Sequence, residues 1–166
     1  PVINQWQKNP QPGYWNEPTM GAWDQVTGVF PNPAQGQPGH IENTDRAQAA
    51  YIFATPGSGL YQELPVKYEP GAVYTLRVGI VGSTAIPPTA ETPFTFGFYY
   101  RGAQNEMVPL GQKSVPFNTT FIPDATKFWD FNAVQPAGEA TSPWIGKNIG
   151  ISVASGSDFT NAGGVW

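Results

Sequence analysis

The sequence predicts an all-β protein, a jelly-roll-like β-sandwich of two antiparallel sheets joined by long loops rich in Pro and Gly. Several stretches alternate apolar and polar residues with a period of two, which is typical of half-buried strands. The 166 residues include 19 Gly and 18 Pro, which favour turns, and 14% of them are aromatic and can fill a core. No stretch carries apolar residues at helical spacing over three turns.

The clearest stretch runs from 60 to 80 and reads as strand, turn, strand, in a hairpin-like unit. Its first strand alternates from Leu60 until Pro65 interrupts it, and Glu69-Pro70-Gly71 predicts a turn. The second strand places four apolar side chains on one face, namely Tyr74, Leu76, Val78 and Ile80. We expect these four to share a core with Phe96, Phe98, Ile149 and Ile151.

The other elements follow the same reasoning within one domain over 1–166. Residues 1–48 form a loop-rich N-terminal part with one short strand around Gly28-Val29-Phe30, and 49–166 carries the main strands. Further strands are predicted at 49–55, 94–101, 107–110, 113–115, 118–122, 127–134 and 147–154, and Val165-Trp166 begins another. Because about eight to ten short strands leave many edges, two packed sheets are the expected solution.

Composition narrows the classes of function. The net charge is −4 and no basic cluster occurs, which argues against a nucleic-acid partner. The chain has no Cys, which excludes disulfides, thiolate catalysis and Cys-based metal sites. No run reaches the roughly 18 apolar residues of a membrane span. The chain begins at Pro1 without an initiator Met or a signal peptide, so we expect that Pro1 is not a gene start.

Catalytic signals are weak, and the sequence favours a protein that is not an enzyme. His40 is the single histidine, and no Ser lies in a nucleophile-elbow motif. The spacing of the Asp and Glu residues does not identify any two of them as an acid–base pair. Asp130 lies between aromatic residues and could be a buried acid, but a solvent-facing strand carboxylate is the favoured interpretation.

The aromatic residues offer a stronger indication of ligand binding. Four tryptophans lie in or beside predicted loops and next to polar residues, namely Trp15, Trp23, Trp129 and Trp144. Sugar rings present apolar C–H faces that pack on such rings, whereas core packing is the alternative for each one. Tyr99 and Arg101 lie on the predicted polar face of a sheet, which is either a solvated surface or a concave ligand face. Metal ligands cannot be assigned from the sequence.

Several segments together resemble a known family. They are Trp6, the segments 28–33 (GVFPNP), 50–53 (AYIF), 60–64 (LYQEL) and 70–79 (PGAVYTLRVG). In this order, the segments resemble those of secreted bacterial β-sandwich domains related to the Stig cyclases of cyanobacterial indole alkaloid synthesis. Those domains in turn resemble family 4/9-type carbohydrate-binding modules. The resemblance implies an extracellular or cell-surface location and calcium as a cofactor. The family's opening Asn…Phe-Glu strand and closing Asp-Asn-Val strand, which supply calcium ligands and the cyclase acid, have no match in this chain.

The leading hypothesis is an exported, non-catalytic module for carbohydrate binding or for assembly at the cell surface. Its partners would be carbohydrate or neighbouring copies of itself in a homo-oligomer. Two alternatives stay open, a Stig-cyclase-like enzyme acting on a hydrophobic substrate and a structural subunit of a surface layer or fibre. The missing family strands predict an unpaired sheet edge. Either a continuation beyond Pro1 and Trp166 or a strand donated by a neighbour would complete it.

Overall fold

The structure is a computed structural model that describes residues 5–45, 47–83, 85–89, 91–117 and 126–166. Helix is limited in these residues to one short helix at Glu17–Met20 (α1) and one 3₁₀ turn at Trp23–Gln25. The strands are β1 Gln7–Lys8, β2 Thr27–Pro31, β3 Gln48–Ile52, β4 Gly59–Lys67, β5 Tyr74–Ile80, β6 Pro93–Arg101, β7 Met107–Pro116, β8 Trp129–Gln135 and β9 Asn148–Ser155. The predicted all-β class is confirmed.

One layer is a five-stranded antiparallel sheet with the strand order β1-β4-β9-β6-β7. Its register places Val153 between Leu60 and Phe96, so these three side chains share the face that packs on the core. Three residues earlier on β9, Gly150 lies between Glu63 and Tyr99 on the opposite, polar face. The alternation of a β-strand therefore divides this sheet into an apolar and a polar side.

The other layer consists of two separate antiparallel pairs, β2 with β3 and β5 with β8. In the described residues no backbone pairing joins β3 to β5. Both pairs nevertheless contribute to the same core, since Ile52 of β3, Ile80 of β5 and Ala133 of β8 belong to one buried cluster. This layer is thus a sheet in two halves.

Two apolar clusters fill the space between the layers. The first is built on Phe96, which is 0% exposed, and the second on Tyr68, Phe98 and Ile149. Leu76 of β5 packs against both clusters and links them. The predicted core set is found here as expected, and Tyr74, Leu76, Val78 and Ile151 are its partly buried members.

The hairpin-like unit predicted over 60–80 is corrected by the sheet topology. Strands β4 and β5 belong to opposite layers, because β4 pairs with β1 and β9 whereas β5 pairs with β8. Tyr68 anchors the crossing between them. Its N–H donates to the carbonyl of Lys147 at 3.0 Å and its hydroxyl donates to the carbonyl of Tyr99 at 2.9 Å. The chain leaves the first sheet at this buried ring, before the turn at Gly71.

One strand boundary also differs from the prediction. The two short strands expected at 107–110 and 113–115 form one strand, β7, which continues through Gly111 at a φ of 48°. The pairing with β6 shifts register between Phe96 and Phe98, so this glycine lies at a β-bulge. The strand predicted at 118–122 lies outside the described residues.

The N-terminal part is more ordered than the sequence suggested. Besides the predicted strand β2, it carries β1, α1 and the 3₁₀ turn. Tyr14 links this part to the main sandwich, because its hydroxyl donates to the carbonyl of Pro56 at 2.5 Å and its ring lies 4.8 Å from that of Phe159. These long-range contacts could not be predicted from local Pro and Gly content.

Candidate functional site

Arg101 organises the polar face of the five-stranded sheet. Its guanidinium carbon lies 5.5 Å from the ring centroid of Tyr61 and 5.4 Å from that of Tyr99. Its Nε donates to Oε1 of Glu63 at 2.7 Å, and Nη1 donates to the carbonyl of Asn105 at 3.0 Å. The hydrogen bond to Glu63 is the main reason that the pKa of Arg101 is raised. The guanidinium is therefore held in one position and stays charged.

Tyr99 forms the floor beneath Arg101. The residue is 1% exposed, and its ring covers Gly150, where a β-carbon would approach the ring to 2.4 Å. Its hydroxyl is buried and has no hydrogen-bond partner among the described residues. Burial, followed by the nearby charge of Glu63, raises the pKa of Tyr99 to about 12. The structure thus corrects the expectation of an accessible tyrosine, since the partly open ring on this face is Tyr61.

A small pocket of about 300 Å³ continues the polar face beyond Arg101. Its charged lining consists of Glu63, Lys67, Arg101 and Lys147. Among the described residues the Arg101–Glu63 contact is the single ion pair, so the two lysines have no acidic partner. Three of the chain's eight basic residues therefore meet at this pocket, around one carboxylate.

Trp15 and Trp23 are brought together, but as part of the N-terminal structure. Their rings meet edge to face at 5.1 Å. Trp23 is 6% exposed and donates its indole N–H to the carbonyl of Asn9 at 2.8 Å, and Trp15 donates to the carbonyl of Gly21 at 2.8 Å. Both indoles thus hydrogen-bond to the backbone of the N-terminal segment and stabilise it. Trp23 is buried there, although an accessible loop side chain was expected.

Trp129 and Trp144 lie against different parts of the core. Trp129 belongs to β8, opposite Ile80, and packs on the first apolar cluster, while Nζ of Lys127 lies 4.3 Å from its ring centroid. Trp144 packs on the second cluster. Both are half-buried. The four predicted tryptophans thus do not form one shared surface.

A larger cleft of about 840 Å³ separates β3 from β5. Its walls combine the aromatic rings of Trp6 and Trp166 with apolar strand residues and polar side chains. Asp45 and Asp130 are the carboxylates that line it, and both are exposed. Asp130 lies 3.5 Å from Nδ2 of Asn43, and its exposure confirms the favoured interpretation of a solvent-facing strand carboxylate.

The remaining catalytic candidate, His40, hydrogen-bonds only to the backbone of its own loop among the described residues, and a metal site also finds no support there. Nδ1 of His40 lies 2.7 Å from the carbonyl of Pro33 within its own loop. In the part of the chain that the structure describes, no three His, Asp or Glu side chains are grouped as metal ligands would be. Over the same residues, no helix has the length and apolar character needed to cross a membrane.

The sequence reasoning missed Tyr61, Glu63, Lys67 and Lys147 as members of the polar site. The signal for the first two was present, because they alternate with Leu60, Gln62 and Leu64 and so face away from the core. Their approach to Arg101 depends on β9, which lies between β4 and β6 in the sheet. This order cannot be read from the local pattern.

Comparison with family models and with curated proteins finds no match for this chain. Among solved structures, it is similar to the crystallographic structure of the N-terminal CBM22-1–GH10 modules of the Clostridium thermocellum endo-1,4-beta-D-xylanase 10B, complexed with xylohexaose. The TM-score is 0.50 at 13% identity, and the match covers 97% of this chain and 24% of the xylanase chain. At this identity the likeness concerns the fold alone. The chain has a β fold like that of a carbohydrate-binding module.

Proposed function

We propose that this chain is a non-catalytic carbohydrate-binding module that takes its ligand on the polar face of the five-stranded sheet. The observation that carries the proposal is the fixed position of Arg101 over Tyr61 and Tyr99, with Glu63 at 2.7 Å. A planar guanidinium beside a carboxylate offers donors and acceptors for neighbouring hydroxyl groups of a sugar ring. Because the group is held before binding, little side-chain entropy is lost on association.

Tyr61 supplies the apolar contact that a sugar ring requires. Its hydroxyl donates to Oε1 of Gln7 at 2.7 Å, which ties the ring to β1 and fixes its orientation. A half-exposed, oriented aromatic ring next to convergent polar groups is typical of small-ligand sites. The adjacent pocket with Lys67 and Lys147 favours sugars that carry carboxylate groups over neutral ones.

The fold likeness supports this choice of ligand class. The similar solved structure contains a CBM22 module, which is a carbohydrate-binding module, and is a complex with xylohexaose. We extend the proposal to an extracellular or cell-surface location, as the resemblance to secreted domains implies. No observation favours the cyclase alternative, because the carboxylates lining the larger cleft are exposed.

Isothermal titration calorimetry against three oligosaccharides tests the proposal. The ligands are xylohexaose, cellohexaose and a galacturonate hexamer, and we expect the acidic one to bind most tightly at low salt. Tyr61→Ala and Arg101→Ala should each weaken binding at least tenfold, which corresponds to about 1.4 kcal/mol. Arg77→Ala is the matched control, since Arg77 is an exposed arginine on β5 in the other layer.

Two outcomes would overturn the proposal. In the first, none of the sugars binds to the folded protein. In the second, binding survives Tyr61→Ala and Arg101→Ala but is lost in Trp15→Ala or Trp144→Ala, which would move the site to the half-buried tryptophans.

A further inference from the structure

A second row of polar side chains crosses the five-stranded sheet beside the row of Gly150 and Tyr99. Two residues earlier on β9 than Gly150, Asn148 is paired with Lys67 of β4. On the other side of β9, Arg101 lies two residues beyond Tyr99 on β6, which brings it to the same row. Because paired residues of an antiparallel sheet point to one face, Lys67 and Asn148 lie on the polar face with Arg101.

Two backbone irregularities border this row. Between Glu63 and Lys67, four steps along β4 correspond to two steps along β9, so β4 bulges there. Just before β9, Gly146 has a φ of 77°, a conformation that glycine adopts readily, and its N–H donates to the carbonyl of Tyr68 at 2.9 Å. Lys147 follows directly and lines the same pocket of about 300 Å³ as Lys67. The bulge and the turn thus bring both lysines to one pocket.

The pocket carries more positive charge than its own residues balance. Its one carboxylate, that of Glu63, is engaged by Nε of Arg101 at 2.7 Å. Over the described residues, the ammonium groups of Lys67 and Lys147 have neither a hydrogen bond nor an ion pair. Three basic groups and one carboxylate therefore meet in a protein whose net charge is −4. Because converging like charges repel each other, an anion that enters the pocket relieves this repulsion.

The basic pocket is displaced along the sheet from the aromatic ring on which a sugar would stack. Tyr61 is paired with Ser152 of β9, whereas Lys67 is paired with Asn148. Four residues of extended strand separate these two rows, which is about 13 Å. Arg101 bridges them, because its backbone belongs to the second row and its guanidinium carbon lies 5.5 Å from the ring centroid of Tyr61. A ligand that contacts both rows is therefore longer than a single sugar ring.

We propose that Lys67, Lys147 and Asn148 form a subsite for the anionic group of an acidic oligosaccharide, on a different sugar unit from the one that stacks on Tyr61. This inference rests on the proposed function and adds which residues recognise the charge and where along the ligand it lies. The two ammonium groups bind a carboxylate or a sulfate ester as point charges, and the amide of Asn148 donates to the same oxygens. The ligand is an acidic polysaccharide, recognised over at least two units.

Isothermal titration calorimetry with matched saccharides tests the subsite. The ligands are trigalacturonate, its methyl ester, which has the same rings without the charge, a trimer of galactose 6-sulfate, and galacturonic acid alone. At low salt, we expect trigalacturonate to bind about tenfold more tightly than its ester, and high salt should reduce this preference by screening the charges. Galacturonic acid alone should bind more weakly than the trimer, because one ring does not reach both rows. Comparing the two acidic trimers identifies the preferred anion.

Lys67→Gln and Lys147→Gln, made singly and together, remove the charge from the pocket. Both lysines are exposed, so we expect the variants to fold. In the double variant, the affinities for trigalacturonate and its ester should agree within about twofold, because the charge is no longer recognised. Lys113→Gln is the matched control, since Lys113 is an exposed lysine of the same sheet whose register partner is the core residue Phe96. It should keep the full preference for the acid.

The inference fails, and the proposed function stands, in three cases. The parent protein binds the methyl ester as tightly as either acidic trimer, or the double variant keeps the preference for the acid, which places charge recognition elsewhere on the polar face. In the third case, galacturonic acid alone binds as tightly as the trimer, which places charge and stacking on one unit. If no trimer binds to the folded protein, the ester included, the proposed function is wrong and the inference falls with it.

Discussion

The two layers of the sandwich carry the same sequence pattern but differ in how completely they are paired. In the five-stranded sheet, β4, β9 and β6 have a neighbour on each side, and Phe96 and Leu60 are fully buried. In the divided layer, Leu76 and Val78 alternate just as regularly and yet remain half-exposed beside the cleft. The alternation of apolar and polar residues determines which face of the sheet a side chain points to, whereas its burial depends on whether a neighbouring strand is present.

The two layers also present different means of recognition. The intact sheet offers side chains, since Arg101 is fixed by Glu63 over two tyrosine rings. The divided layer offers backbone groups, because the edges of β3 and β5 face the cleft without a partner strand in the described residues. Side chains held in this way suit a small polar ligand.

The largest expected effect is the loss of stability when one apolar side chain in each layer is truncated to alanine. Phe96→Ala should lower the free energy of unfolding by about 3–5 kcal/mol, because the ring is 0% exposed and its removal leaves a cavity. Leu76→Ala should cost only about 1–2 kcal/mol, since the side chain borders the open cleft and already contacts solvent. Urea denaturation of both variants measures the difference. Equal losses would mean that the divided layer is closed in solution.

A glycine in each layer gives the second comparison. In Gly150→Ala, the new β-carbon would lie 2.4 Å from the buried ring of Tyr99, so we expect a loss of about 2–3 kcal/mol. In Gly79→Ala on β5, the nearest atom is Cβ of Phe128 at 3.0 Å, and the loss should be less than half as large. Thermal unfolding ranks the two variants. The reverse order would contradict the packing of Tyr99 over Gly150.

The fold could be predicted from the sequence because its signals are local. The alternation from Tyr74 to Ile80 correctly placed Leu76 in the core, and Val165, predicted to begin a strand with Trp166, forms an isolated antiparallel bridge to Phe53. The hairpin over 60–80 was wrong because pairing partners are chosen over long sequence distances. Tyr68 diverts the chain through bonds to Lys147 and Tyr99, which the local pattern does not reveal.

The candidate site was predicted less well, for a related reason. Tyr99 and Arg101 were placed on a polar face, but stacking makes Tyr99 the buried support and leaves Tyr61 as the open ring. Tryptophan content suggested a binding surface, whereas Trp23 is engaged by the backbone of its own segment. Which aromatic residue remains accessible depends on neighbours from other strands, and residue type alone does not specify them.

The smallest expected effect is a loss of folding stability at alkaline pH, caused by ionisation of the buried Tyr99 beneath the polar face. Burial, with the charge of Glu63, raises the pKa of Tyr99 from 10.0 to about 12, so the folded protein favours the protonated phenol. The stability linked to this group is fully present below pH 10 and is lost as the pH rises towards 12, by about 1–2 kcal/mol. Tyr99→Phe should be as stable as the parent at pH 7, because the buried hydroxyl has no hydrogen-bond partner among the described residues.

The difference between the parent and Tyr99→Phe isolates this titration from that of Tyr68, whose pKa burial also raises and which both proteins share. Urea denaturation from pH 8 to 12 should show the two curves diverging above pH 10, with the parent losing more. Parallel curves would mean that the phenol of Tyr99 is open to solvent. In that case Tyr99, and not Tyr61 alone, could contact a sugar on this face. The pH dependence therefore decides whether the intact layer binds through one exposed ring or two.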